Sequence, residues 1–350
     1  MAENRAWSHI LTALLDGSDL SIGDAAWAMN EVISGAATPA QLAGFLIALR
    51  AKGESVNEIV GFRDAVLQHA VALPVPAMAL DIVGTGGDRH RTINVSTSAA
   101  IVCAASGVPV VKHGNRAASS SSGASDVLGA LGLDISHGPE RIATILERVG
   151  LTYVNASVFH PGFRHVAGVR AELGVPSVFN FLGPMCNPAR PEAQAVGVAQ
   201  LDRVPLFTGV FQTRGATALV FRGDDGLDEL TTTGHSHVWE VSRGTVKEHD
   251  IDPRELGIPR ATLEDLRGGT PEENARVVRA VLAGERGPAR DIVLLNAAAG
   301  LVSFRLAEDP SRFDESILER LHAALATAAE AVDSGAAAAK LDEWIAASAA

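Results

Sequence analysis

The sequence predicts an α/β fold with a small N-terminal helical domain ahead of a larger α/β domain that has a mainly parallel central sheet. Three observations lead there. The first 73 residues carry only helix-start signals, and short apolar runs alternate with helical stretches from Ala79 onward. Gly-, Ser- and Asp-rich segments follow several of those runs directly, where a parallel sheet places its ligand-binding loops. The expected division is residues 1–74 for the helical domain, joined by part of 160–190, and 75–350 for the α/β domain.

Within the helical block, Ser21 with Asp24, Thr38 with Gln41 and Ser55 with Glu58 each set a capping oxygen three residues ahead of a side chain able to reach back. Asp24 has the shortest reach. Pro39 suits a first helical position, where its missing N–H costs nothing, and Gly53 is read as a left-handed stop. Between them Leu42, Phe45, Leu46 and Leu49 line one face that must pack on something. Pro74 and Pro76 end the block.

Next come strand candidates ALDIVG and VPVVKHG, separated by a helix from Ser96 to Ala105 and followed by a helix from about Ser125. LTYVNA, AQAVGVA, ATALVF and HVWEV are further strands. Thr270 to Leu282 is a helix with Pro271 at its first position, and the Ala-rich C-terminal stretch is helical.

Charge and composition exclude several function classes. A net charge of −12 repels a polyanion, so anion binding must be local and an extended nucleic-acid surface is not expected. Cys103 and Cys186 have no paired spacing, which argues against a disulfide framework or a cysteine zinc site and fits a reducing compartment. MAENRAWSHI lacks a signal pattern and no run is long enough to span a membrane, so a cytoplasmic protein is expected.

Four segments carry chemistry. DIVGTGGD, from Asp81 to Asp88, puts three glycines behind a strand, and Asn94, Ser96 and Thr97 then open a helix whose N–H groups and dipole attract anions. Taken alone it is better read as a capped tight turn, and its context decides. KHGNRAASSSSGASD, Lys112 to Asp126, also lies between a strand and a helix, and combines Lys112 and Arg116 with many hydroxyls. Two such loops on neighbouring strand ends suit a doubly phosphorylated ligand, with Arg89, His90 and Arg91 adding positive charge to the first.

GDDGLDEL, Gly223 to Leu230, offers Asp228 and Glu229 as hard oxygen ligands for Mg²⁺. An acidic pair beside two anion-binding loops makes sense with a cation between them. In HPGFRHVAGVRAELG, a helix starting near Phe163 carries Arg170 about two turns along, where its forked donors can grip a planar carboxylate.

In order and spacing, GTGGD, NVST, KHGNRAASS, VFNFLGPMCNPARP and GDDGLDE resemble the anthranilate phosphoribosyltransferase family over about residues 5–345. KHGNR with a downstream GLDE is the most specific part. The resemblance implies a nucleoside phosphorylase-like architecture and a homodimer formed through the helical domain. It also implies transfer of the phosphoribosyl group of 5-phosphoribosyl 1-pyrophosphate (PRPP) to anthranilate, the second step of tryptophan biosynthesis from chorismate.

Carried over by motif, Gly84, Gly87, Asp88, Thr92, Asn94, Val95, Ser96 and Thr97 would contact PRPP. Lys112, His113, Gly114, Asn115, Arg116, Ala117, Ala118, Ser119 and Ser120 would form the other wall, with Ala124 also at the donor. Ser96, Asp228 and Glu229 would bind Mg²⁺, while Gly84, Asn115 and Arg170 would hold anthranilate. An arylamine is neutral at pH 7 and needs no strong base, so His113 is read as pocket wall in preference to proton acceptor. The sequence departs from relatives at Phe163, often Tyr or another residue, at Ser157, often Pro, and at Ala124, where several carry serine. The first two fall on the expected acceptor route. The rival readings are a pyrimidine-type nucleoside phosphorylase, which shares the fold and Gly-rich turn, and a non-catalytic relative that binds nucleic acid.

Overall fold

The computed structural model describes residues 6–115 and 122–349. Four helices come first: α1 (Trp7–Leu15), α2 (Ile22–Ser34), α3 (Pro39–Lys52) and α4 (Val56–His69). Their starts follow the capping chemistry. Thr38 with Gln41 and Ser55 with Glu58 form reciprocal capping boxes. Ser21 accepts from the Asp24 N–H, but the Asp24 carboxylate, one methylene shorter than that of Glu, accepts from the Ser21 hydroxyl at 2.6 Å. Gly53 departs from expectation, since its φ of 89° comes with a ψ of 140°. The chain leaves α3 extended and runs directly into the Ser55 cap.

The α/β part runs β1 (Leu80–Gly84), α5 (Val95–Ala105), β2 (Val110–Gly114), α6 (Ala124–Leu131), α7 (Pro139–Val149), β3 (Leu151–Asn155), α8 (Ala156–Phe159) and α9 (Arg164–Leu173). It continues with β4 (Ala193–Gly197), α10 (Val204–Arg214), β5 (Thr217–Gly223), β6 (Ser236–Ser242) and β7 (Thr245–Ile251). Four helices close it: α11 (Pro271–Leu282), α12 (Pro288–Glu308), α13 (Ile317–Asp333) and α14 (Ala336–Ala349).

Among the described residues the strands form one sheet in the order β3-β2-β1-β4-β5-β6-β7. The first five pair in parallel, and the hairpin β6–β7 adds antiparallel strands at one edge. Chain order reverses at β1, with β2 on one side and β4 on the other. Such a switch point opens a crevice at the carboxyl ends of the strands. Strand β7 has no counterpart in the sequence reading. Its TVKEHDI is an exposed edge segment whose charges discourage pairing with another chain, and it lacks the apolar run used to find the other strands.

Two large cores cover the two faces of the sheet. One joins Leu80, Ile82, Ala193, Ala195, Leu219 and Phe221 to α5, α12, α13 and α14. The other joins Val196, Val198, Ala218 and Val220 to α10 and onward to the N-terminal helices. There Leu42, Phe45, Leu46 and Leu49 are buried as the helical pattern predicts. Helix α9 contributes Val166 to the same core and packs on α2 and α3. The four N-terminal helices therefore lean on the sheet through α10 and on α9, and Arg50 of α3 reaches the crevice. Among the described residues no helix is long and apolar enough to cross a membrane.

Candidate active site

The carboxyl ends of β1, β2, β4 and β5 open onto one cleft of about 540 Å³, a volume typical of a small-molecule site. From the Gly-rich segment Gly84, Gly87 and Asp88 line it, followed by Thr92, Asn94, Val95 and Ser96. From the second segment Lys112, His113, Gly114 and Asn115 line it, with Ala124 at the start of α6. Asp228, Glu229 and Arg170 complete the set. Arg116, Ala117, Ala118, Ser119 and Ser120 lie outside the described residues.

Three expected positions fall elsewhere. Thr97 is 1% exposed and lies outside the lining, because the first turn of α5 turns it into the interior. Ser157 is off the cleft, with its hydroxyl and backbone N–H both donating to Asn155 Oδ1, at 2.8 and 3.1 Å. His90 does not line the cleft either; its Nε2 lies 3.0 Å from the Asp225 carbonyl, which ties the first loop to the acidic one.

Glycines at two strand ends admit the acidic loop. A Cβ on Gly84 would overlap the Asp228 carboxylate, and one on Gly197 would overlap the Asp228 main chain. The Asp228 carboxylate accepts from the Gly86 N–H at 2.6 Å, so the Gly-rich turn and the acidic turn are held face to face. Burial, followed by the nearby Asp88 charge, pushes the Asp228 carboxyl up to about 7. Burial and the Asp228 charge push Glu229 well above the usual carboxylate range, while Lys112 and the Ser96 N–H pull it back.

Lys112, near the end of β2, is anchored in the interior. It is 1% exposed, and its ammonium donates to the Ile82 carbonyl at 2.6 Å and to Ser96 Oγ at 3.3 Å. Burial lowers its pKa against the opposing pull of Asp81 and Glu229. Its charge therefore acts from the cleft floor. Beneath it, Asp81 accepts from the His113 N–H at 3.1 Å and from Asn187 Nδ2 at 2.9 Å, which pins the end of β2.

Asn94 precedes α5 without capping it. Its amide turns instead to Ser122 and Asn274. The first N–H of α5, on Val95, is taken by the Ile93 carbonyl at 2.8 Å, so fewer helix-start donors are available than the motif suggests.

The other end of the cleft is aromatic. Arg170 Nη2 donates to Asn180 Oδ1 at 3.3 Å, and the guanidinium lies 5.7 Å from the centre of the Phe179 ring. Phe163 stacks on His160 at 5.1 Å and meets Phe179 edge-on at 5.7 Å. His113 Nδ1 lies 3.2 Å from the Gly183 carbonyl, which can only accept, so Nδ1 carries the proton and Nε2 is the free acceptor. Burial and the neighbouring His160 push His113 down to about 3, leaving it neutral at physiological pH.

Sequence reasoning missed Arg50, Phe179, Asn180 and Arg203 as lining residues. The aromatic spacing in VFNF was the one available signal, since an Asn between two Phe side chains marks an apolar wall with a polar gap. Nothing local singles out Arg203, which forms a close ion pair with Glu54 and lies 4.8 Å from the Phe181 ring centre.

Among the described residues no set of three or more His, Cys, Asp or Glu side chains is arranged to hold a metal ion by itself. That is compatible with Mg²⁺, which takes one or two carboxylates and fills its octahedron with water and substrate phosphate.

Comparison with known proteins agrees with this geometry. Residues 77–338 match the family described as "Glycosyl transferase family, a/b domain", and residues 8–70 match "Glycosyl transferase family, helical bundle domain". Anthranilate phosphoribosyltransferase of Leifsonia xyli subsp. xyli is 70% identical over 347 residues, covering 99% of each chain. The crystal structure of anthranilate phosphoribosyltransferase from Thermus thermophilus aligns with a TM-score of 0.89 at 41% identity, covering 97% of this chain and 99% of that one. The Saccharomyces cerevisiae protein of the same name, solved in complex with PRPP and Mg, aligns with a TM-score of 0.87 at 29% identity over 98% of each chain. Near-complete coverage at high identity, on top of a shared two-part fold, places the chain in the anthranilate phosphoribosyltransferase family.

Proposed function

We propose that the cleft carries the transfer of the phosphoribosyl group of PRPP to anthranilate, giving N-(5-phosphoribosyl)anthranilate and pyrophosphate in tryptophan biosynthesis. One observation carries the reading: the acidic turn at Asp228 and Glu229 faces the loops at Ser96 and Lys112 across a single cavity.

The donor would lie along the strand ends, its phosphates against the turn from Gly84 to Asp88, the segment Thr92–Ser96 and the wall that begins at Lys112–Asn115, with Ala124 beyond. Anthranilate would lie between Gly84 and Asn115 with its carboxylate on Arg170, and the Phe163 and Phe179 rings suit its aromatic face.

The residues fit a divalent cation. Asp228 and Glu229 are buried carboxylates whose protonation is favoured first by burial and then by a neighbouring carboxylate, Asp88 for Asp228 and Asp228 for Glu229, the condition that a nearby cation relieves. They would hold Mg²⁺ together with the Ser96 hydroxyl. Mg²⁺ when bound supplies Lewis-acid neutralisation of the departing pyrophosphate. Lys112, anchored on the cleft floor, stabilises the same developing charge, and so acts more strongly on the transition state than on the ground state. Asn115 and Arg170 position the amine against the anomeric carbon. His113, neutral and a weak base, serves as pocket wall.

The helical unit is proposed to span 1–74 together with part of 160–190, a division supported by the packing of α9 on α2 and α3, with 75–350 forming the α/β unit. A homodimer through the helical unit is proposed as well. Leu15 and Ile47, 77% and 43% exposed on α1 and α3, support it. A cytoplasmic location fits two unpaired, buried cysteines.

The test is direct. Protein, Mg²⁺, PRPP and anthranilate are mixed, and the loss of anthranilate fluorescence is followed. Turnover that requires all four components supports the reading. Inactivity with anthranilate combined with phosphorolysis of thymidine would replace it with a nucleoside phosphorylase.

A further inference from the structure

An Asn just before a helix ordinarily accepts from the N–H of the second or third helical residue. Asn94 does not; its backbone sits at φ −79° and ψ 72°, and its side chain makes no cap. Its carboxamide spans outward instead. Nδ2 donates to the Ser122 carbonyl at 3.1 Å, and Oδ1 accepts from Asn274 Nδ2 at 2.8 Å. Asn274, on the first turns of α11, is 2% exposed and accepts on its own Oδ1 from the Gly269 N–H at 2.8 Å.

The polarity of this relay is forced. A backbone carbonyl at Ser122 can only accept, so Asn94 must present its NH₂ there and its oxygen toward Asn274. A backbone N–H at Gly269 can only donate, so Asn274 must present its oxygen there and its NH₂ toward Asn94. The two amides therefore meet donor to acceptor in one arrangement alone.

The relay rests on a strap. Gly268 N–H donates to the Arg91 carbonyl at 2.8 Å, Ile93 N–H to Leu266 at 3.0 Å, and Thr92 bridges Arg267, so residues 266–269 clamp the end of the Gly-rich loop. Gly268 is required, because a Cβ there would come within 2.6 Å of the Thr92 carbonyl and 2.9 Å of Asn274 Oδ1. Helix α11 also packs on α6, whose start follows Ser122. The beginnings of α5, α6 and α11 are joined through two amide side chains.

We propose that Asn274 is a positioning residue for the donor site: by fixing the orientation of the Asn94 amide it sets the spacing between the two anion-binding loops. Asn274 itself does not line the cleft, so it acts through Asn94. The inference rests on the donor-binding reading of those loops.

Asn274→Asp keeps an acceptor for the Gly269 N–H and removes the donor to Asn94. Asn94 then turns its NH₂ toward the new carboxylate and sets its oxygen against the Ser122 carbonyl. The KM for PRPP is expected to rise about tenfold, with kcat and the anthranilate KM within about twofold of the unsubstituted enzyme. Asn274→Ala, which brings no charge, should give the same split. In an Asn94→Ala background either substitution should add nothing further, because the element it acts through is gone.

Multiplicative effects in that background would overturn the proposal, as would an unchanged PRPP KM in either single variant or an equal loss toward both substrates. Should neither Asn274 variant fold, Asn274→Ser, which keeps a short polar side chain in place of the amide, decides: it must raise the PRPP KM without an equal rise in the anthranilate KM, and an unchanged PRPP KM refutes the relay. Inactivity of the unsubstituted enzyme would instead count against the reaction itself.

Discussion

At the carboxylate end of the cleft, the loops behind β1, β2 and β5 bring Asp88, Ser96, Lys112, Asp228 and Glu229 together, each at or within about a dozen residues of the end of its strand. At the Arg170 end, the lining comes from α3 on one side and from α9 with the segment 176–184 that follows it on the other, two parts far apart in the chain that meet only through packing. One end is a consequence of sheet topology, since parallel strands deliver their carboxyl ends to the same edge. The other is a consequence of side-chain packing between the N-terminal helices and the sheet. The difference predicts that the two ends fail separately and in different kinetic constants.

The largest separation is expected from replacing both carboxylates with their amides, Asp228→Asn with Glu229→Gln. Turnover should fall by about 10³-fold or more at ordinary Mg²⁺, because loss of a metal site removes several kcal/mol of charge stabilisation. The melting temperature should not fall, since burial, together with Asp88 beside Asp228 and Asp228 beside Glu229, already favours the protonated, uncharged forms. Full activity would remove the pair from the metal site.

Arg170→Ala should raise the anthranilate KM roughly ten- to a hundredfold, the equivalent of losing charge-assisted hydrogen bonds, and leave the PRPP KM near its original value. Arg170→Lys should not restore it, because an ammonium lacks the planar fork. A defect confined to PRPP would mean that the two ends are not independent.

A smaller effect sharpens the comparison through pH. A carboxyl raised to about 7 holds its proton below that value, and a protonated oxygen is a poor cation ligand, so the Mg²⁺ concentration for half-maximal rate should climb as pH falls through about 7. The climb should approach about tenfold per pH unit for one competing proton. The anthranilate KM should follow no such curve, because no titrating carboxylate adjoins Arg170 among the described residues, and parallel curves would merge the two ends.

Legibility divides along the same line. The caps at Thr38 and Ser55 could be read because capping is settled by residues three apart in the chain. The loop segments that line the cleft could be found because glycine, serine and aspartate cluster where a strand gives way to a helix. Ser157 was misjudged as part of the acceptor route, since whether it faces the cleft depends on Asn155 capturing its hydroxyl. Lys112 was recognised as part of the wall, but not as an anchored group on its floor. Only the positions of Ile82 and Ser96 determine where its ammonium ends.

By itself the sequence determined the helical and α/β parts, the alternation of strands with helices and the four motif segments at the cleft, because each of these shows in residues close together in the chain. Tertiary structure alone decided that Arg50, Phe179 and Arg203 join the cleft. It also decided that Gly84 and Gly197 must lack side chains to admit Asp228, and that Asn94 serves Ser122 and Asn274 in place of its own helix. Those outcomes depend on excluded volume and on hydrogen-bond partners many residues away in the chain. No local pattern encodes either, because both arise only once the sheet and helices have packed.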